Sequence, residues 1–295
     1  MPLFGQQIMS ESPLLRQIKL DFIRQINMED KLFIKNRKGQ KLSIIVDKTP
    51  KQKGLVFVMH GLSGFKEQEH LITIAEAFKE KKFTVVRFDT TNTLGESEGS
   101  IDKATTTNYY EDLEDVISWA ENQKWYKEPF ALTGHSLGGI CTSMYAQKYP
   151  RKVSLLAPIS TVVSGKLVIE SFKRYEKENF EQLARGGWLE KAKFKEIEIE
   201  KKVKKLKRLA RAFIRDCSKY NLLSEVAKLT MPVLLIVGEN DKSTPADHIE
   251  ILYQAMPEPK ELCIIKNAPH TFIDKKHLKE IKKILSLWIK KYAVK

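Results

Sequence analysis

The segment Gly134-His135-Ser136-Leu137-Gly138-Gly139 follows the apolar run Phe130-Ala131-Leu132-Thr133 and opens a stretch of helical pattern. A serine on so sharp a strand-to-helix turn has its hydroxyl exposed above the strand end. Glycines flank it because side chains there would meet neighbouring backbone. Such a turn is a nucleophile elbow, and the chemistry it suits is acyl transfer through Ser136. Serine alone is a poor nucleophile, so a base must take the hydroxyl proton and return it to the leaving group.

Six histidines compete for that task. His60 and His135 adjoin glycines at strand ends, where a structural hydrogen bond is the default. His70, His248 and His277 lie in helical patterns and are expected at the surface. His270 stands in Asn267-Ala268-Pro269-His270-Thr271-Phe272, the loop after the last strand, at the same sheet edge as Ser136, and is the expected base. The acid that orients it should follow the preceding strand. In Val233-Leu234-Leu235-Ile236-Val237-Gly238-Glu239-Asn240-Asp241 the first choice is Asp241 and the second is Glu239, which otherwise reads as a solvated loop carboxylate. Charge that develops on the carbonyl oxygen calls for two preorganised N–H donors, each worth about 3 kcal/mol. Leu137 is expected to supply one. Leu62, in the turn His60-Gly61-Leu62-Ser63-Gly64, is expected to supply the other, unless that segment is only a glycine turn.

These residues need a scaffold that carries them to one edge. Apolar and β-branched runs at 31–35, 42–46, 55–59, 83–88, 130–133, 153–157, 233–237 and 262–265 predict eight strands. The first two flank the turn Asn36-Arg37-Lys38-Gly39-Gln40 and predict a hairpin; from the third onward helical patterns at 67–81, 110–123, 137–149 and 245–256 intervene. The expected fold is α/β, a mostly parallel eight-stranded sheet flanked by helices. About seventy residues separate the sixth and seventh strands, far more than a crossover needs. A helical cap is therefore expected as an insertion at about 164–220, and residues 1–30 as an N-terminal helical extension carrying Leu14, Leu15, Ile18 and Phe22 before a domain over 31–295.

The charge is uneven. Of the formal +14, residues 164–220 carry +8 and residues 274–295 carry +6. Ile199, Val203, Leu206, Ala210 and Phe213 recur at helical spacing, which leaves the lysines and arginines of 201–211 mostly on other faces. A solvated helix face is the plainest meaning; an anion-attracting rim or peripheral contact with an anionic surface is the alternative. No nucleic-acid-binding module accompanies the charge, so nucleic acid is not an expected partner. The last segment has its own stripe, Leu278, Ile281, Leu285, Trp288 and Tyr292, and reads as a docked terminal helix. Trp188, Phe194 and Phe213 either line an acyl pocket from the cap side or form the cap's own core.

At 295 residues and 42% hydrophobic content the chain can bury a large core, which excludes a disordered or disulfide-dependent class. Cys141, Cys217 and Cys263 form no CxxC, so neither a disulfide framework nor a cysteine zinc site is suggested. No apolar run is long enough to span a bilayer and the first residues lack a secretory pattern, so a cytoplasmic location is expected.

Strand then His60-Gly61, elbow at Ser136, acid at Asp241 and base at His270, in that order, resemble the α/β-hydrolase family. Within it the chain looks most like soluble esterases with an HG turn and a helical insertion, such as cinnamoyl and feruloyl esterases. Arg87-Phe88-Asp89 and Gly95-Glu96-Ser97-Glu98-Gly99 resemble a loop taken as structural in that group. The turn lacks the HGGG run of many lipases, and residues 90–94 lengthen the spacing between Asp89 and Gly95. The resemblance implies a serine hydrolase that cleaves small-molecule carboxylic esters through an acyl-enzyme, with no metal and no organic cofactor. The alternatives are a thioesterase or acyltransferase acting on an anionic acyl carrier, a peptidase or amidase using the same three side chains, and a non-catalytic protein that binds a ligand or a membrane.

Overall fold

The computed structural model describes residues 29–175, 213 and 215–293. Eight strands form one sheet: β1 (Glu29–Lys35), β2 (Lys41–Asp47), β3 (Gly54–Met59), β4 (Phe83–Phe88), β5 (Phe130–His135), β6 (Val153–Ile159), β7 (Val233–Gly238) and β8 (Lys260–Ile265). Their order is β1-β2-β4-β3-β5-β6-β7-β8. The β1–β2 and β2–β4 pairs are antiparallel and every later pair is parallel. The β1–β2 turn closes because Asn36 Oδ1 accepts from Lys38 N–H (3.0 Å) and Gln40 N–H (2.9 Å) while Gly39 supplies a φ of 75°.

Six helices of two or more turns are described: α1 (Glu69–Lys79), α2 (Thr106–Ala120), α3 (Leu137–Lys148), α4 (Gly165–Arg174), α5 (Ala246–Ala255) and α6 (Lys275–Tyr292). Alternation along each central strand divides the core between two faces. Leu55, Phe57 and Met59 of β3 pack with Leu113 of α2 and Ile140 of α3; Val56 and Val58 pack with Ile74 of α1 and Ile281 of α6. Side-chain caps start three of the helices: Thr105 accepts from Asn108 N–H ahead of α2, Ser164 from Leu167 N–H ahead of α4, and Asp274 from Lys276 N–H ahead of α6. The Thr105 cap explains why α2 begins four residues before the stretch expected from the apolar pattern.

Two of the expectations need adjustment. The pairing Glu29↔Asp47 lengthens the hairpin ladder, so β1 starts two residues inside the predicted extension. The remainder of that extension, with Leu14, Leu15, Ile18 and Phe22, lies outside the described residues, as do Ile199, Val203, Leu206, Ala210, Trp188 and Phe194 of the predicted insertion. His70, His248 and His277 are buried and not at the surface. Each lies on the inward stripe of its helix, four residues before the buried Ile74, Leu252 and Ile281 respectively.

The two ends of the 164–220 segment meet at the sheet. Ser164 and Asn221 form an antiparallel bridge, and Gly165 lies so close to Cys217 that a Cβ there would stand 2.3 Å from its carbonyl oxygen. Among the described residues no helix is long and apolar enough to cross a membrane.

Candidate active site

Parallel register brings the C-terminal strand ends to one rim: Met59 lies opposite Gly134, His135 opposite Ile159, and Gly238 opposite Ile265. The loops that leave this rim carry every residue predicted to do chemistry.

Ser136 sits between β5 and α3 with φ 55° and ψ −115°. A non-glycine residue held there stores about 1–3 kcal/mol of backbone strain, so the surroundings must impose it. They do so through Ser136 N–H, which donates to Ile159 O (2.9 Å), and Ser136 O, which accepts from Gly139 N–H (2.9 Å) and Val162 N–H (3.3 Å). The turn is also too tight for side chains on either side of it. A Cβ at Gly134 would stand 2.2 Å from Gly138 O, and one at Gly138 would stand 2.6 Å from the carbonyl oxygens of Met59 and His60. Leu137 begins α3, so its N–H is among the four that a helix leaves without an internal acceptor, at the positive end of the helix dipole.

The turn after β3 lies directly against this elbow: a Cβ on Gly61 would stand 2.9 Å from Ser136 Cβ. His60 braces it. Thr90 N–H donates to His60 Nε2 (3.0 Å), so the ring proton is on Nδ1, which donates to Gly61 O (2.8 Å). Burial pushes the His60 pKa down, more than the attraction of Asp89 raises it, and the ring stays neutral. Beneath the turn, Lys66 is wholly buried, with Nζ 2.8 Å from Asp89, 2.7 Å from Glu96 and 3.0 Å from Glu67. Burial alone would lower the Lys66 pKa, but the hydrogen bonds to Asp89 and Glu96 outweigh it and raise it. The Asp89 loop is therefore part of an ion cluster under the turn, the structural duty its sequence suggested.

His270 Nδ1 lies 2.8 Å from Asp241 Oδ2 and 3.0 Å from Oδ1, and both residues are buried. Asp241 is held from its other side. Oδ1 accepts from Ser243 N–H (2.9 Å) and Thr244 N–H (2.8 Å), and Oδ2 lies 2.9 Å from Thr244 Oγ1, which is also 2.9 Å from Ser160 O. Two backbone N–H groups thus hold the carboxylate besides the imidazole, and the single Thr244 hydroxyl proton is shared between Oδ2 and Ser160 O. Glu239 takes no part: it is exposed and accepts from Asn267 N–H at 2.8 Å. His135 stacks on His270 with ring centroids 4.7 Å apart, and His70 stacks on His135 at 4.5 Å.

One cavity connects these parts. Ser136, His270, His135 and Leu62 line it together with Ser63, Gln68, Ser243, Thr244 and Thr271, and its apolar wall is Val162, Val168, Phe172 and Phe213. The arrangement offers a serine on a strained turn and an imidazole paired to a carboxylate at one hollow, with Leu62 on its wall. Residues that sequence analysis did not single out include Thr244, Ser63, Gln68, Val168 and Phe172. Thr244 had a signal, since a threonine three residues past an aspartate commonly closes a turn on that carboxylate. Phe172 and Val168 had none beyond helical spacing.

Comparison with known proteins agrees with this architecture. The family model described as serine aminopeptidase, S33, matches residues 50–276. An uncharacterized 31.7 kDa protein of the traX-finO intergenic region of Escherichia coli is 25% identical over 267 residues, covering 81% of this chain and 91% of that protein. Among solved structures, Est1E of Butyrivibrio proteoclasticus with ferulic acid bound superposes with a TM-score of 0.68 at 20% identity, covering 90% of this chain and 100% of that one. An esterase of Pyrococcus furiosus gives 0.69 at 18% identity, covering 90% of each chain. These structures share the α/β-hydrolase fold, and the family match spans well over half the sequence. The chain thus belongs to the serine aminopeptidase S33 family of α/β hydrolases.

Proposed function

We propose that the protein is a serine hydrolase of carboxylic esters. In this reading Ser136 attacks the acyl carbon, His270 takes the serine proton and delivers it to the leaving alcohol, and Asp241 holds the imidazole with its proton on Nδ1. The amides of Leu62 and Leu137 hold the oxyanion; water, activated by His270, then cleaves the acyl-enzyme. The observation that carries the proposal is the Asp241–His270 contact of 2.8 Å at the edge of a cavity that the strained Ser136 also lines.

The cavity wall favours an ester with an uncharged acyl or aryl group, since Val162, Val168, Phe172 and Phe213 offer apolar surface beside the elbow. Esterase neighbours in fold point the same way. Residues 164–220 belong in this reading as a cap: Phe172 and Phe213 reach the cavity from its two described ends. A cytoplasmic location is part of the proposal and suits three free cysteines.

The test is covalent labelling with a fluorophosphonate followed by a panel of p-nitrophenyl esters, aryl esters, acyl-CoA thioesters and aminoacyl amides. Stoichiometric label on Ser136 and fastest turnover of neutral esters are expected. No label would make the protein a binder, and preference for acyl-CoA or amides would move it to those substrate classes.

A further inference from the structure

The N-terminal ends of the parallel strands, opposite the rim that carries Ser136, form a surface dominated by lysine. Lys53 directly precedes β3 and Lys82 directly precedes β4, and Lys53 N–H donates to Lys82 O at 2.8 Å, which joins the two loops. Lys48, Lys51, Lys124 and Lys127 line one cleft there, around Trp125 and Tyr126. Lys53, Lys81, Lys82 and Lys290 line a second with Glu80, beside Phe83 and Ile289. Lys127 Nζ donates to Lys53 O at 2.8 Å and links the clefts. Several carboxylates near this end pair with cations outside the clefts. Glu80 lies 2.9 Å from Lys282, Glu121 and Glu128 lie 2.7 and 3.1 Å from Lys152, and Asp47 lies 3.0 Å from Lys79 and 3.1 Å from Arg87. Eight lysines and one carboxylate, Glu80, line the two clefts, so positive charge sets the sign of the field over this surface.

We propose that this surface adsorbs the protein onto an anionic lipid bilayer and leaves the catalytic rim facing away from it. The side-chain chemistry selects the partner. All eight cations are lysines, flexible point charges that suit a fluid array of headgroups, whereas rigid bidentate recognition of a fixed phosphate uses arginine. Trp125 and Tyr126 are the amphipathic ring types that settle at headgroup depth. On α6, Leu287 is 61% exposed and lies three residues before Lys290, which places an apolar side chain on the same helix face. Each strand spans about 20 Å, so the adsorbed face and the catalytic cavity are separated by roughly that distance. The described ends of the 164–220 segment lie at the opposite rim.

The experiment is sedimentation of the full chain with phosphatidylcholine vesicles, pure or containing about one-third phosphatidylserine, at about 0.1 M and about 1 M salt. Two variants of equal net charge are compared: K48E/K51E/K124E/K127E in the cleft, and K103E/K166E/K173E/K266E elsewhere on the exposed surface. A circular-dichroism melt establishes that each is folded. Wild type is expected to bind the anionic vesicles only and to release them at high salt. The cleft variant should lose at least about tenfold in partitioning, with turnover of a neutral p-nitrophenyl ester unchanged, and the control variant should stay within about threefold of wild type. Equal loss in both folded variants, binding to pure phosphatidylcholine, or binding of single-stranded DNA without vesicle binding would overturn the proposal. None of these readouts depends on Ser136 being a nucleophile.

Discussion

His135 Nε2 lies 2.8 Å from the backbone carbonyl oxygen of His270. A carbonyl only accepts, so the His135 ring carries its proton on Nε2, and the residue beside the serine holds the loop that bears the imidazole. Burial, reinforced by the neighbouring histidines His70 and His270, lowers the His135 pKa well below its ordinary value, so this brace is a neutral donor. His135→Phe should leave the carbonyl unpaired, cost about 1–3 kcal/mol of stability, and lower kcat for an ester by roughly tenfold or more. His135→Gln, which retains a donor, should recover part of kcat. Steady-state kinetics on the two folded variants decide it, and equal activity in both would show that the hydrogen bond is idle.

Strain at Ser136 predicts opposite effects on stability and activity. Ser136→Gly should raise stability by about 1 kcal/mol, because glycine adopts positive φ at little cost, while ester turnover drops by about four orders of magnitude. Urea melts and ester assays on the same preparation measure both. A destabilised variant, or one retaining turnover, contradicts the assignment.

Thr244 touches Asp241 through both its N–H and its hydroxyl. Thr244→Val keeps the backbone donor and removes the hydroxyl donor, so kcat should fall by roughly tenfold with KM nearly constant; Thr244→Ser should stay near wild type. A fall in Thr244→Ser as large as in Thr244→Val would assign the effect to packing.

Acid sensitivity should come in part from His70. Burial, then the neighbouring His270 and His60, lower its pKa to about 3, and its buried Nε2 has no hydrogen-bond partner. The unfolded chain binds a proton at about pH 6.5 that the folded chain refuses, so stability is full above that pH and falls as pH drops below it. The loss is on the order of 1 kcal/mol per pH unit for this group, down to about pH 3. His70→Phe should flatten that slope and be neutral or slightly stabilising at pH 7, since it removes an unpaired polar atom. Urea midpoints at about pH 7.5 and pH 5 test the sign; an unchanged slope rejects it.

How much of this was readable in advance varied with the distance over which the cause acts. The strand-turn-helix at 130–148 is a local pattern, and β5, Ser136 and α3 appear where the apolar run, the glycines and the helical spacing put them. Preference for Asp241 over Glu239 also followed from local backbone, since the residue after Gly238 faces away toward Asn267 N–H. The three helix histidines lie where their polarity alone does not put them, because position on the helix decides burial. Their spacing to Ile74, Leu252 and Ile281 carried the information, yet only packing of the helices against the sheet shows which stripe turns inward.

From the sequence by itself come the order of elements, the tight turn at Ser136 and the choice of Asp241 and His270 as the proposed acid and base, because hydrophobic period, glycine placement and loop position are properties of short segments. Tertiary structure decided the rest: that His135 holds the His270 carbonyl, that Thr244 shares Asp241, that Lys66 is buried under the HG turn, and that lysines from four separate segments share one end of the sheet. Those relations join residues from separate elements of the chain. Their distances are set by sheet register and helix packing, which no local run of residues encodes.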